Sequence, residues 1–319
     1  MAKEKANRNK TISLSEEERS LFINILNTES EQFSRGDYSD KIICGDFFSN
    51  IQLLPDAFAD LIIVDPPYNL NKDFGGIINF KSLSDAKYRD YLETWLSLVV
   101  SKLKSDGTLY LCGDWKCSAA LFDVLSQHLT IINRITWQRE KGRGSLSNWK
   151  NSMEDIFFAV RDVKHYYFNL DAVKMKRKVI APYRKDGKPK DWEETSDGNF
   201  RLTCPSNFWD DISVPYWSMA ENTEHPTQKP EKLIAKLILA SCPKEGMVFD
   251  PFLGSGTTAV VAKKLGRHYC GIEMNEEYCC YAEKRLAMAD DDKSIQGYTD
   301  GVFWERNTSN LIKATRNLE

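Results

Sequence analysis

The chain has 319 residues, 42% of them hydrophobic and 28% charged, with a net charge of −3. That usage excludes a disordered, collagen-like or coiled-coil protein and leaves enough chain to bury a sizeable core. Its apolar runs are too short for a bilayer and the charged opening MAKEKANRNK leads into no apolar stretch, so no membrane span or secretory signal is expected and the chain reads as cytoplasmic. The 8 cysteines are scattered without a CxxC pair and the 4 histidines stand apart, which predicts free thiols and no metal site.

Residues 1–40 read as a helical extension. Ser15 and Glu18 have capping-box spacing, and Leu21, Phe22, Ile25 and Leu26 form an apolar stripe, expected to pack on its own chain or on a partner subunit. From Lys41 the pattern changes. KIIC and ADLIIV are rich in β-branched residues and too short for helices, so they predict buried parallel strands. Tyr88, Tyr91, Leu92, Trp95, Val99 and Leu103 recur at helical spacing. Asp106-Gly107 is expected to turn the chain into the strand TLYLC, followed by a helix around 117–128 and a strand over Ile131–Trp137. This alternation over 41–140 predicts an α/β fold with a doubly wound, mostly parallel sheet.

Residues 141–224 break the rhythm. From Lys141 to Lys190 there are 13 Lys/Arg against 5 Asp/Glu, interleaved with Trp149, Tyr166, Tyr167, Phe168 and Tyr183. Such a stretch suits a phosphate backbone, and it equally suits a solvated surface loop. DIFFAV and VKHYYF read as short strands, the first assignable to the main sheet; the rest reads as an insertion. Over 225–288 the alternation resumes: Pro230 opens the helix EKLIAKLILAS, then come MVFD, a glycine turn, TTAVVAKKLG, HYCGIE and EEYCCYAEKRL. Residues 289–319 read as a polar, loosely held tail.

Two motifs carry chemistry. The run Asp250-Pro-Phe-Leu-Gly-Ser-Gly-Thr-Thr258 lies where a strand gives way to a helix, and Gly254 and Gly256 permit a sharp bend and close approach of a ligand. Glu273 ends the next strand, 23 residues on, where an acid suits ribose hydroxyls. The loop is not GxGxxG and lacks a P-loop lysine, and its acidic entrance disfavours a pyrophosphate. It favours a cationic ligand, such as the sulfonium and ammonium of S-adenosylmethionine. The second motif, Asp65-Pro66-Pro67-Tyr68, follows the strand LIIV. Two prolines stiffen the turn and leave free carbonyl acceptors beside a carboxylate and an aromatic ring. Such a corner can accept hydrogen bonds from an exocyclic amine, and it offers no nucleophile.

Asp-Pro-Pro-Tyr, Phe-x-Gly-x-Gly and His225-Pro-Thr-Gln-Lys-Pro230, in this order, resemble the β-class DNA amino-methyltransferases over about residues 41–288. The likeness is to the adenine-N6 enzymes of restriction–modification and cell-cycle type. It implies a Rossmann-like methyltransferase domain, with 41–140 as catalytic half, 141–224 as target-recognition region and 225–288 as cofactor half. It implies S-adenosylmethionine as methyl donor, S-adenosylhomocysteine as product, and double-stranded DNA from which the target base is flipped. By the same resemblance Asp65, Pro66, Pro67 and Tyr68 are catalytic. Asp46, His225, Thr227, Lys229, Asp250, Phe252, Gly254, Ser255, Gly256, Thr257 and Glu273 surround the cofactor. Trp137 stands beside the flipped base or in the core, and Lys141, Arg143, Lys174, Lys176, Arg177 and Lys178 meet DNA. A homodimer, a cognate restriction endonuclease and a bacterial source are further implications.

Cytosine-N4 transfer is the nearest alternative, and Asp at position 65 leans to adenine. RNA or protein-glutamine acceptors are disfavoured by the same residue. A non-catalytic DNA-binding subunit is disfavoured by two intact motifs, and a dinucleotide oxidoreductase by the missing GxGxxG.

Overall fold

The structure, a computed structural model, describes residues 7–69, 72–74, 78–80, 83–139, 146–179, 183–195 and 198–306. Helix α1 (Glu16–Ser34) starts at a reciprocal capping box between Ser15 and Glu18 and buries Phe22, Leu26 and Phe33. It packs on its own chain, against β1 (Lys41–Cys44) and a later helix, and Leu21 faces outward rather than joining the buried stripe. After α2 (Phe47–Ile51) and β2 (Ala59–Val64) come the short hairpin β3 (Lys72–Phe74) and β4 (Ile78–Phe80), then α3 (Asp85–Ser101) and β5 (Leu103–Asp114). Asp106 and Gly107 make no turn before β5. They lie inside it, in a bulge where two steps along β2 (Ala59 to Leu61) match five along β5 (Leu103 to Thr108). α4 (Ser118–Leu125), β6 (Thr130–Gln138) and β7 (Met153–Val160) follow.

The chain then builds β8 (Met175–Lys178), β9 (Arg184–Lys185), β10 (Lys188–Pro189), β11 (Glu193–Thr195), β12 (Gly198–Thr203) and β13 (Phe208–Trp209). Val163–Phe168, read above as a strand, forms none; Tyr166 and Phe168 instead set their rings 5.8 and 5.6 Å from Phe158. α5 (Glu231–Ser241), β14 (Met247–Asp250), α6 (Thr257–Lys264), β15 (His268–Glu273) and α7 (Glu276–Asp291) complete the α/β body. Residues 289–306 are firmly held, contrary to the expected loose tail. They carry β16 (Tyr298–Thr299) and β17 (Val302–Trp304), and they bury Ile295 and Phe303.

The main sheet has eight strands in the order β1-β15-β14-β2-β5-β7-β6-β13. The first five are parallel, and β7 runs antiparallel between β5 and β6. Successive residues of β2 serve opposite faces: Leu61 and Ile63 join the layer of α5, α6 and α7, while Ile62 and Val64 join that of α2, α3 and α4. A second sheet, β11-β12-β8-β17-β16, joins the insertion to the C-terminal strands. It is anchored beside α5, where Lys232 and Lys236 both pair with buried Asp211 at 2.7 and 2.8 Å and Lys236 also lies over the Trp209 and Phe303 rings. Burial pushes the Lys236 ammonium down to about 8.

Candidate active site

The chain winds one way from β2 through α3 to β5 and the other way from β14 through α6 to β15, so the order reverses between β14 and β2. A crevice opens beyond the carboxyl ends of strands at such a point. Val248 and Phe249 pair with Leu61 and Ile62, which brings the ends of both strands, and hence Asp250 and Asp65, to one edge. They line a single cavity of about 490 Å³ together with Asp46, His225, Lys229 and Glu273. Phe252, Gly254, Ser255, Thr227, Thr257, Pro66, Pro67, Tyr68 and Trp137 line it too, so residues far apart in the chain meet here. Gly256 is not at the wall. It caps α6 at φ 82°, and an added Cβ would meet that of Ala282 at 2.4 Å, so it sets the approach of α6 to α7.

The glycine bend is held by acids. Asp250 is buried and accepts from Thr258 Oγ1 at 2.6 Å and from the Phe252 N–H at 3.0 Å. Burial pushes its carboxyl up to about 7, against these hydrogen bonds. Glu273 accepts from the Gly254 N–H at 2.8 Å and the Asn275 N–H at 2.7 Å, and burial raises its carboxyl as well. Among the described residues no cationic side chain forms an ion pair with Asp250 or Glu273. Two carboxyls without a partner cation make the cavity fit a positively charged ligand. Phe252 stacks on Phe47 at 5.1 Å and supplies an apolar wall. His225 lies 3.1 Å from where a Gly254 Cβ would stand and meets Tyr278 edge-on at 4.4 Å, so it covers the bend. Asp46 is exposed and caps α2 through Ser49.

The proline corner is closed by charge. Tyr68 donates to Asp65 Oδ1 at 2.7 Å, and the Lys229 ammonium donates to Asp65 Oδ2 at 2.5 Å. The sequence reading groups Lys229 with the cofactor residues; its ammonium sits on Asp65 instead, and only its main chain reaches the bend, where its carbonyl accepts from Thr257 Oγ1 at 3.2 Å. Trp137 is buried and donates to the Ile212 carbonyl at 3.0 Å while facing the cavity.

Three residues here escaped the sequence reading. Glu154 is buried within 3.4 Å of Lys229, and Arg139 pairs with Glu154. Arg285 is buried on α7 and donates to Ser255 O at 2.8 Å, Thr257 Oγ1 at 3.0 Å and Glu231 at 3.0 Å. Acids at the mouth of an apolar strand and an arginine on the apolar face of a helix were the available signals.

On the second sheet, Lys174 pairs with Asp171 at 2.8 Å, Arg177 lies 3.7 Å from Glu305, and Lys176 covers the Phe200 and Trp304 rings. Of this run only Lys178 is exposed, so it is less free for phosphate than its sequence implies. Lys141 and Arg143 lie outside the described residues.

The chain is similar to known DNA methyltransferases. The Type II methyltransferase M.HpaI of Haemophilus parainfluenzae is 35% identical over 248 residues, 77% of this chain and 74% of its own. The DNA adenine methyltransferase YhdJ of Escherichia coli is 33% identical over 302 residues, 91% of this chain and 96% of its own. The solved PvuII DNA methyltransferase (cytosine-N4-specific) shares the fold, with a TM-score of 0.57 at 18% identity over 79% of this chain and 90% of that one. Residues 59–284 match the model of the N6/N4 methyltransferase family described as DNA methylase, and the chain belongs to that family. Its methyl donor is S-adenosylmethionine, the cofactor that the family's reaction requires. No described helix is long and apolar enough to cross a membrane.

Proposed function

We propose that this DNA methyltransferase modifies the N6 amino group of adenine in double-stranded DNA, holding an extruded base at the Asp65–Tyr68 corner. The observation that carries the reading is the meeting of Asp65 and Asp250 on one cavity at the reversal of strand order. The aspartate at position 65 and the adenine specificity named for the E. coli relative support adenine over cytosine.

S-adenosylmethionine, when bound, supplies an electrophilic methyl group. The chain's own residues do the rest. The amino nitrogen of adenine is a poor nucleophile because its lone pair is shared with the ring. Asp65 and the Pro66 carbonyl accept its N–H bonds and favour a pyramidal nitrogen, and Tyr68 stacks on the base. Stacking returns roughly 1–3 kcal/mol of the few spent in leaving the duplex. Fixed acceptors aimed at developing positive charge lower the barrier further. Asp250, Phe252, Ser255 and Thr257 face the methionine end, Glu273 the ribose, Asp46 the adenine ring, and His225 with Thr227 closes over the carboxylate end. The basic second sheet, with Lys178 foremost, meets the phosphate backbone. Pairing with a second copy, a cognate endonuclease and a bacterial cytoplasm belong to the same reading.

The experiment is to methylate duplex DNA, digest it to nucleosides and weigh them. N6-methyladenine is expected; N4-methylcytosine would overturn the assignment of the base.

Asp250 gives the cavity a pH dependence. Its carboxyl, raised to about 7, adds stability below the unfolded value near 3.8 and loses it as pH rises through about 7. A cationic ligand favours the ionised form, so the sign for binding is opposite. Affinity for S-adenosylmethionine, measured by calorimetry, should fall as pH drops below about 7, by at most about tenfold per unit. Asp250→Asn should bind more weakly and lose that slope; an unchanged slope would remove Asp250 from this role.

A further inference from the structure

Asp65 is proposed to receive an amino group, yet both its oxygens are already engaged, Oδ1 by Tyr68 and Oδ2 by Lys229. Something must yield when the base arrives. The Lys229 ammonium lies 2.5 Å from Asp65 Oδ2 and 3.4 Å from Glu154 Oε2. Glu154 is 3% exposed, on β7 in register with Asp114 of β5 and Trp137 of β6, so its backbone is fixed on both sides. Arg139 holds Oε1, whereas Oε2 is buried and accepts no hydrogen bond among the described residues. The main chain of Lys229 is also tied, through Thr257 to Arg285. The freedom that remains is in the lysine side chain, between two carboxylates.

We propose that Glu154 is a second seat for the Lys229 ammonium, and thereby a positioning residue for Asp65. An arriving amino group displaces the ammonium from Asp65 Oδ2 to Glu154 Oε2. The acceptor is freed and the buried cation keeps a counter-charge, without which its exposure to a low dielectric would be costly. Because the carbonyl of Lys229 is bonded to the residue that opens α6, the same lysine links the acceptor corner to the cofactor bend. The inference rests on the reading that Asp65 holds an exocyclic amine.

Glu154→Gln keeps the volume and removes the second seat. Its kcat should fall by about 10- to 100-fold, as misplacement of a reacting group does, while KM for DNA and the Kd for S-adenosylmethionine stay within about twofold. The double variant Glu154→Gln/Lys229→Met has no ammonium to relocate and should turn over faster than Glu154→Gln alone, a non-additivity that a merely structural glutamate would not produce. Wild-type kcat in Glu154→Gln, or a double variant slower than the single one, would overturn the proposal. A structure of the wild-type protein with duplex DNA and S-adenosylhomocysteine decides it independently of any variant's folding. Lys229 Nζ should lie within about 3.2 Å of Glu154 Oε2 and away from Asp65; an ammonium still on Asp65 with the base in place would refute the second seat. An active Asp65→Ala would instead defeat the underlying reading, so the two failures are separable.

Discussion

Asp65→Ala should lose methyl transfer by at least about 10²- to 10³-fold while still binding S-adenosylhomocysteine as the wild type does. The size follows from what is removed. A preorganised polar partner aimed at charge that develops during reaction contributes about that much, and the alanine leaves a hole where the amine would be held. The sparing of cofactor binding follows from position. Asp65 directly follows β2, whereas Asp250 and Glu273, which hold the bend, end β14 and β15. The folded state should be little affected, because Asp65 is 23% exposed and Glu154 remains to compensate the Lys229 ammonium. Asp65→Asn is the sharper variant: it keeps the shape, but one of its two atoms now donates toward an amine that also donates. Single-turnover incorporation of labelled methyl groups, with calorimetry on the same samples, makes the comparison. Turnover of Asp65→Ala within about tenfold of wild type would remove the carboxylate from the chemistry.

The cofactor bend and the proline corner were legible because each is local. A strand, a turn and a helix follow within a few residues, and the residue types at the turn are unusual: Pro-Pro after an acid, or two glycines between an acid and a pair of threonines. That they meet on one cavity depends on the reversal between β14 and β2, which strand–helix alternation implies without placing the strands. Long-range pairings were not legible. β17 lies beside β8 although Phe303 and Met175, its register partner, are far apart in sequence, so a segment that reads as a polar tail is in fact a sheet strand with a buried phenylalanine. Asp106-Gly107 has the composition of a turn, yet strand pairing on β2 overrides it and leaves a bulge. Lys229 shows the same limit at one side chain. Its neighbours in sequence belong to the bend, but a lysine's reach carries its charge to the corner, where two acids from other strands compete for it. Glu154 is illegible in the sequence for a related reason: an acid at a strand end is ordinarily solvated, and this one is buried between strands on both sides.

Gly256→Ala should cost more stability than any other single-methyl addition to the bend. The residue sits at φ 82°, where a side chain pays about 1–2 kcal/mol. The added carbon would also stand 2.4 Å from the Ala282 Cβ and 2.8 Å from the Ala282 Cα, an overlap with helix α7 that no rotamer can relieve. Overpacking of this kind costs roughly 1–3 kcal/mol, so a total of about 2–5 kcal/mol is expected from urea midpoints. Gly254→Ala provides the contrast. Its φ is 58°, and the new methyl would meet the edge of the His225 ring at 3.1 Å, a side chain able to give way. The two substitutions should therefore separate stability from function. Gly254→Ala should lose only the about 1–2 kcal/mol that its left-handed φ costs, less than Gly256→Ala, but bind S-adenosylmethionine weakly, since His225 is pushed into the cavity that it lines. Gly256→Ala should lose both, because moving α6 away from α7 disturbs Ser255 and Thr257, which Arg285 of α7 holds through hydrogen bonds of 2.8 and 3.0 Å. Replacing Ala282 by glycine in the Gly256→Ala background removes the atom at 2.4 Å and should return part of the lost stability, the Cα overlap and the strain at φ 82° remaining. If Ala282→Gly returned none of it, the glycine would be required for its backbone conformation alone rather than for the closeness of the two helices.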